Sequence, residues 1–150
     1  MSVEEIFSSI SEHMVEGLMA HSQLSDFFGF LGLEGYQQCH KYHYFEENKN
    51  YRRLSDYYLS NYNRIIIEKP FQNPNIIPKD WYQYRRQDVT ASIRKNSIQT
   101  GFEKWIEWET QTKELYQKYY NELVGIMEVA AAEEIKYYIM DVSSELSAAK

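Results

Sequence analysis

The stretch "EKPFQNPNIIPKD", residues 68–80, decides which kind of helical protein this chain can form. It contains all three prolines of the chain, so a helix that precedes it must end near Pro70. Extended at about 3.3 Å per residue, its thirteen residues span ~40 Å, the length of a helix of about 25 residues. The link is therefore long enough to run the full length of a helical bundle.

Two helices are expected before this link. The sequence "LGLEG" at residues 31–35 predicts a turn, which separates one helix at roughly 3–31 from a second at roughly 35–67. After the link, residues 81–100 are polar and poorly periodic, and no structure is predicted for them. Two more amphipathic helices follow, with a turn predicted near residues 121–125.

Two helical hairpins joined by a long crossover predict an all-α, four-helix bundle. We expect a single domain over residues 1–150, with residues 68–80 as the crossover link. A chain of 150 residues that is 43% hydrophobic is long enough to bury one core and too short to make two domains expected.

The composition excludes several classes of function. A net charge of −6 argues against a protein that binds a phosphate backbone. Cys39 is the only cysteine, so the chain cannot form an internal disulfide, which suits a reducing cytoplasm. The longest nearly apolar run, "FFGFLGL", is far shorter than the roughly 20 residues of a spanning helix. We expect a cytoplasmic protein that binds neither nucleic acid nor membrane.

Each predicted helix carries polar side chains within its apolar stripe when residues are placed at 100° intervals. The inward polar residues are His21 on the first helix, Glu47 with His40 and His43 on the second, Glu109 on the third and Glu134 on the fourth. Counted from turns near residues 33 and 121, His21, Glu47, Glu109 and Glu134 lie 12 to 14 residues away, so they share one depth in the bundle. By the same helical phase, Glu47 should face inward and Glu46 should face water.

Several buried carboxylates at one level need protons, basic partners or a metal ion, because an unpaired buried charge is costly. A divalent cation is the simplest solution, and the i, i+4 spacing of His43 and Glu47 places an imidazole beside a carboxylate. The candidate metal ligands are Glu47, Glu109, Glu134, His43 and His21.

The chain resembles the ferritin-like superfamily of ferritins, bacterioferritins and carboxylate-bridged di-iron proteins. That family uses a Glu on the first and third helices and Glu-x-x-His on the second and fourth. The matching positions here are Glu16 in "MVEGLMAHS", Glu47-x-x-Asn50, Glu109 in "WETQTKEL", and either Glu133-x-x-Lys136 or Glu134-x-x-Tyr137. The resemblance implies a ferritin-like bundle and iron as the cation. A mini-ferritin of the Dps type is a further reading, but it needs one helix over residues 3–45, which "LGLEG" disfavours.

The two histidines of the family motif are absent, and this leaves two hypotheses open. In one, His43 and His21 supply imidazoles from neighbouring turns, and the protein binds iron or another divalent metal with ferroxidase-like or oxygen chemistry. In the other, the site has decayed, and the bundle is a non-catalytic structural or interaction protein. The sequence favours the second hypothesis and leaves open whether the protein is an enzyme. Its 14 tyrosines and the "KWIEW" segment also predict a surface suited to a homo-oligomer.

Overall fold

The structure is a computed structural model that describes residues 1–149. Within that range it contains four α-helices, two short 3₁₀ helices and no strand, which confirms the all-α prediction. The α-helices are α1 (Val3–Phe30), α2 (Glu34–Tyr62), α3 (Ala91–Gly125) and α4 (Val129–Ala149), and the 3₁₀ helices span Lys79–Gln83 and Arg86–Asp88. None of the helices in these residues combines the length and the apolar character needed to cross a membrane.

The turn between α1 and α2 lies where "LGLEG" predicts it. Gly32 adopts a left-handed backbone conformation with φ of +80°, which costs glycine little because it has no Cβ. The amide of Leu33 donates to the carbonyl of Phe28, a pattern that commonly closes a helix end. α1 and α2 therefore pack against each other as a helical pair.

The link between α2 and α3 starts before residue 68 and ends after residue 80, the bounds predicted for it, and α3 already includes residues 91–100, for which no structure was predicted. α2 ends at Tyr62 rather than near residue 67, because Asn63 takes a left-handed conformation (φ 53°) that asparagine tolerates and that stops a helix. α3 starts at Ala91, where the hydroxyl of Thr90 caps it by accepting from the amide of Ile93. The connection thus occupies residues 63–90.

The first part of this connection follows α1 in the direction of its chain. Lys69 donates to Ser9, the amide of Gln72 donates to Glu16, and the amide of Ile76 donates to Gln23. Later in the link, Arg86 donates to the carbonyl of Gly29 near the end of α1. The link therefore begins beside the start of α1 and finishes beside its end.

The turn between α3 and α4 lies a few residues later than residues 121–125, where it was predicted. Gly125 is the last residue of α3, and the reversal occurs at Met127, which has φ of +63°. The amide of Glu128 donates to the carbonyl of Leu123, so the helix end has its usual hydrogen bonds although methionine replaces glycine at the left-handed position. Val124 and Met127 are exposed at this turn.

The core consists of two apolar clusters. The first lies towards the start of α1 and includes Ile6, Phe7, Ile10, Leu54, Tyr116, Leu123, Ile135 and Val142; the second lies towards the end of α1 and includes Leu24, Phe28, Trp105 and Trp108. Gly101 permits close packing at the second cluster, because a Cβ there would lie 2.9 Å from the ring of Phe28. Between the two clusters lies the central polar cluster, formed by His21, His40, His43, Glu47, Glu109 and Glu145.

Candidate metal centre

Three ionisable side chains from three helices converge in the central polar cluster. His21 on α1, Glu109 on α3 and Glu145 on α4 each offer one atom to a group whose members all lie within 4.8 Å of one another. Nε2 of His21 is 3.0 Å from Oε1 of Glu109, and both side chains are buried. An imidazole and two carboxylates therefore share one small volume in the interior.

Nε2 of His21 and both carboxylate oxygens of Glu109 have no hydrogen-bond partner within residues 1–149. Although Nε2 and Oε1 are close, they are not aligned as a hydrogen bond, and Oε2 of Glu109 is also unpartnered. A buried polar atom without a partner costs about 1–3 kcal/mol, so nearly all such atoms in proteins are paired. These three atoms are thus arranged as if to receive a further group.

The separations fit a small cation after a modest contraction. Two ligand atoms at about 2.1 Å from one ion can be no more than about 4.2 Å apart. The 4.8 Å limit of this group would have to shrink by roughly half an ångström, which side-chain rotations can supply. One nitrogen and two carboxylate oxygens also form a donor set typical of protein sites for transition metals.

Two more histidines surround His21. Nδ1 of His21 lies 3.1 Å from Nδ1 of His40, a hydrogen bond in which one ring donates to the other. The ring of His40 is buried, stacks on Phe28 and meets Trp105 edge-on. His43, which is partly exposed, places Nδ1 2.5 Å from Oε1 of Glu145. The contacts of His40 hold the ring of His21 with Nε2 directed at Glu109.

Burial controls the protonation of the cluster. It lowers the pKa of His21 to about 4 and, together with the neighbouring histidines, that of His40 to about 2. Burial also raises the pKa of Glu109 to about 7 and that of Glu145 above its ordinary value. For His43, burial lowers the pKa, but the contact with Glu145 outweighs this effect and the net shift is upward. Near neutral pH, His21 and His40 are therefore neutral, and neutral imidazoles are the form that binds metals.

Glu47 is buried, as its helical phase predicts, and is only 7% exposed. It packs against Gly17 of α1, where an added Cβ would lie 3.6 Å from the carboxyl carbon of Glu47. Burial and the nearby carboxylates of Glu109 and Glu145 raise its pKa well above the ordinary value. Glu46 is half-buried, so it faces water less completely than predicted.

The structure brings four of the five predicted ligands together and leaves one out. His21, His43, Glu47 and Glu109 belong to the central polar cluster, whereas Glu134 does not. Glu134 instead accepts hydrogen bonds from the guanidinium of Arg53, at 2.7 and 3.2 Å, and from the hydroxyl of Tyr138 at 2.8 Å. Its place in the cluster is taken by Glu145.

The position of the last turn explains this exchange. The depth of Glu134 was counted from a turn near residue 121, but the chain reverses at Met127. Glu109 is 18 residues before Met127 and Glu145 is 18 residues after it, so these two residues share one level. Counting from the correct turn would have predicted Glu145. A helix end with methionine in the left-handed position gives almost no signal in the sequence.

The remaining positions that resemble the family motif lie outside the cluster. Glu16 accepts a hydrogen bond from the amide of Gln72 in the link, and Glu133 is exposed on α4. Asn50, at the position of the motif histidine, is buried and donates to Asp141 of α4 at 2.8 Å. Asn50 and Asp141 therefore lie beside the cluster as a pair that the sequence analysis did not identify.

Comparisons with known proteins give no further guidance about this site. The chain matches no protein-family model, no curated protein and no solved structure.

Proposed function

We propose that this chain binds a divalent transition-metal cation in the central polar cluster of a ferritin-like four-helix bundle. The observation that carries the proposal is the convergence of unpartnered buried atoms of His21 and Glu109 beside Glu145. Mixed imidazole and carboxylate donors suit iron, manganese, cobalt or zinc better than magnesium or calcium, which favour oxygen donors. Iron is the cation implied by the family that the sequence resembles.

The path of the chain supports the ferritin-like part of this proposal. The link from α2 to α3 stays beside α1 from the region of Ser9 to that of Gly29, as the hydrogen bonds to Lys69 and Arg86 indicate. A connection that runs the length of the bundle makes α2 and α3 parallel, which distinguishes ferritin-like bundles from bundles with short links only.

The direct ligands would be Nε2 of His21 and carboxylate oxygens of Glu109 and Glu145. His40 would orient the ring of His21 through the contact between their Nδ1 atoms, since a second hydrogen bond commonly fixes a metal-binding imidazole. Glu47 and His43 lie next to these ligands and could complete the coordination. A bound cation would supply Lewis acidity, and iron would add the capacity for electron transfer. The two apolar clusters exclude water on either side of the site.

Substitutions on α4 test this ligand assignment. Glu145→Gln should weaken cation binding by about 100-fold, because it removes a charged group that contacts the cation. Even residues that contact only the ligands of a metal commonly change its affinity by about 10–100-fold. Glu134→Gln on the same helix should leave affinity unchanged within about threefold, because Glu134 is committed to Arg53 and Tyr138. Titration calorimetry with Mn²⁺ or Co²⁺, on protein stripped of metal by a chelator that is then removed, measures both.

The same titration includes the outcomes that would contradict the proposal. Wild-type protein that binds less than one cation per chain at millimolar concentration would exclude a metal centre. Equal losses of affinity in Glu145→Gln and Glu134→Gln would mean that the cation is attracted by the overall charge of α4 and has no defined site.

A second candidate function is that of a metal-free interaction module that forms homo-oligomers. It is favoured by the apolar side chains exposed at the turn between α3 and α4, which are Val124, Ile126, Met127 and Val129. Exposed apolar groups that adjoin one another commonly mark a contact surface. If this turn joins two copies, sedimentation equilibrium should show a dimer that Met127→Glu converts to monomer. A wild-type protein that stays monomeric at high concentration would exclude it.

A further inference from the structure

Polar side chains link the helices α2 and α4. The α-carbons of α1 and α2, of α3 and α4, and of α1 and α3 approach within 8 Å at several places, whereas those of α2 and α4 do so at one or two places at most. Polar side chains bridge the gap in four pairs, which we call the α2–α4 seam: His43 with Glu145, Asn50 with Asp141, Arg53 with Glu134, and Tyr62 with Glu128.

The charges along the seam are unevenly balanced. In every pair the acidic side chain comes from α4 or the residue before it, and the partner comes from α2. Arg53 balances the charge of Glu134, and His43 contacts Glu145. Asp141 and Glu128, in contrast, pair with the neutral amide of Asn50 and the neutral hydroxyl of Tyr62, and neither forms a salt bridge within residues 1–149. Of these two carboxylates, Asp141 is the one next to the central polar cluster.

The central polar cluster reaches the surface at this seam. The side chains of His21 and Glu109 are 0% and 1% exposed, whereas those of His43 and Glu145 are 12% and 11% exposed. Asp141 is half-buried and lies one helical turn from Glu145 on the same face of α4. A line of carboxylates thus leads from solvent at Asp141, through Glu145, to the buried carboxylate of Glu109.

We infer that a cation enters the central polar cluster through the α2–α4 seam, where Asp141 attracts it and the pairs Asn50–Asp141 and His43–Glu145 separate to admit it. This inference rests on the proposed function. Separating two side-chain pairs requires only changes of rotamer, which are fast in partly exposed residues. Entry between α1 and α2, or between α3 and α4, would instead require closely packed helices to move apart.

Two substitutions of opposite charge test this route by its kinetics. Asp141→Asn removes the attracting charge, and we expect the association rate constant to fall about tenfold at low salt, within the range known for electrostatic steering. Asn50→Asp adds a charge and weakens the pair that must separate, so the association rate constant should rise at least about threefold. Stopped-flow quenching of tryptophan fluorescence by Co²⁺ provides the signal, because Trp105 contacts His40 and His43.

The matched control is Asp56→Asn, an equal loss of charge on the exposed face of α2, which should change no rate. The affinity of Asp141→Asn should remain within about threefold of wild type, because a charge on the route speeds the entry and the exit of the ion alike, so the dissociation rate constant should fall together with the association rate constant. Unchanged association rates in both seam variants would place the entry route elsewhere. A large loss of affinity in Asp141→Asn at an unchanged association rate would make Asp141 a ligand and would also overturn the inference. Wild-type protein that binds no Co²⁺ would refute the proposed function itself.

Discussion

Glu109→Gln should abolish cation binding and, in the same protein, increase stability in the absence of cation. The loss of binding should exceed about 100-fold, because Glu109 supplies a charged oxygen 3.0 Å from Nε2 of His21 and lies beside Glu145 in the same group of candidate ligands. The gain in stability follows from burial. At pH 8 the buried carboxyl group of Glu109 is ionised, which is costly away from water, whereas glutamine carries no charge. Calorimetric titration and urea unfolding in chelator at pH 8 measure the two effects.

Glu107→Gln is the matched control for this variant. Glu107 lies on the same helix, is exposed and contacts Lys104, so its replacement should alter neither affinity nor stability appreciably. A Glu109→Gln protein that binds cation as tightly as wild type would remove Glu109 from the site. One that is less stable without cation at pH 8 would show that Glu109 has a structural partner.

The stability of the cation-free protein should fall as pH rises from about 6.5 to 8. In the unfolded chain Glu109 releases its proton near pH 4.5, but in the folded protein its pKa is about 7. The stability linked to this proton is present below pH 4.5 and is lost as pH rises through 7. The raised pKa values of Glu47 and Glu145 act in the same direction. Each such group changes the free energy of unfolding by about 1.4 kcal/mol per pH unit over the pH range in which it is protonated in the folded protein and ionised in the unfolded chain.

Buried histidines produce the opposite trend at lower pH. His21 has an unfolded pKa of 6.5 and a folded pKa of about 4, so its contribution is present above pH 6.5 and is lost as pH falls towards 4. The two trends oppose each other between pH 4.5 and 6.5. Above this range the carboxyl groups and His43, whose pKa is raised, all reduce stability as pH rises. Urea unfolding across pH 4 to 8 should therefore give a maximum at mildly acidic pH, which Glu109→Gln should flatten on its alkaline side. Stability that rises steadily from pH 6.5 to 8 would contradict the assigned burial of these carboxyl groups.

The sequence was sufficient to predict most of the fold because its strongest signals are local. Gly32 marks the first turn, and three prolines mark the link, since both residue types restrict the backbone directly. The helical period also indicated that His21, Glu47 and Glu109 are buried, because a 100° rotation per residue assigns each one to a face. These predictions depend on only a few neighbouring residues.

The failures come from helix ends whose signals are weak. Asn63 ends α2, where asparagine is a weaker stop signal than glycine, and Met127 follows the end of α3, where methionine is no stop signal at all. An error of a few residues at Met127 was enough to select Glu134 in place of Glu145. The pair of Asn50 and Asp141 depends on the register between α2 and α4, which are far apart in the sequence and joined through side chains. Periodicity within one helix contains no information about such a register.

The most direct test of the proposed metal centre is a crystal structure of the protein grown with Mn²⁺, with anomalous scattering used to locate the ion. We predict one strong anomalous peak within about 2.3 Å of Nε2 of His21 and of carboxylate oxygens from Glu109 and Glu145. A crystal with no peak in the central polar cluster, or with manganese bound only at surface carboxylates, would contradict the proposal.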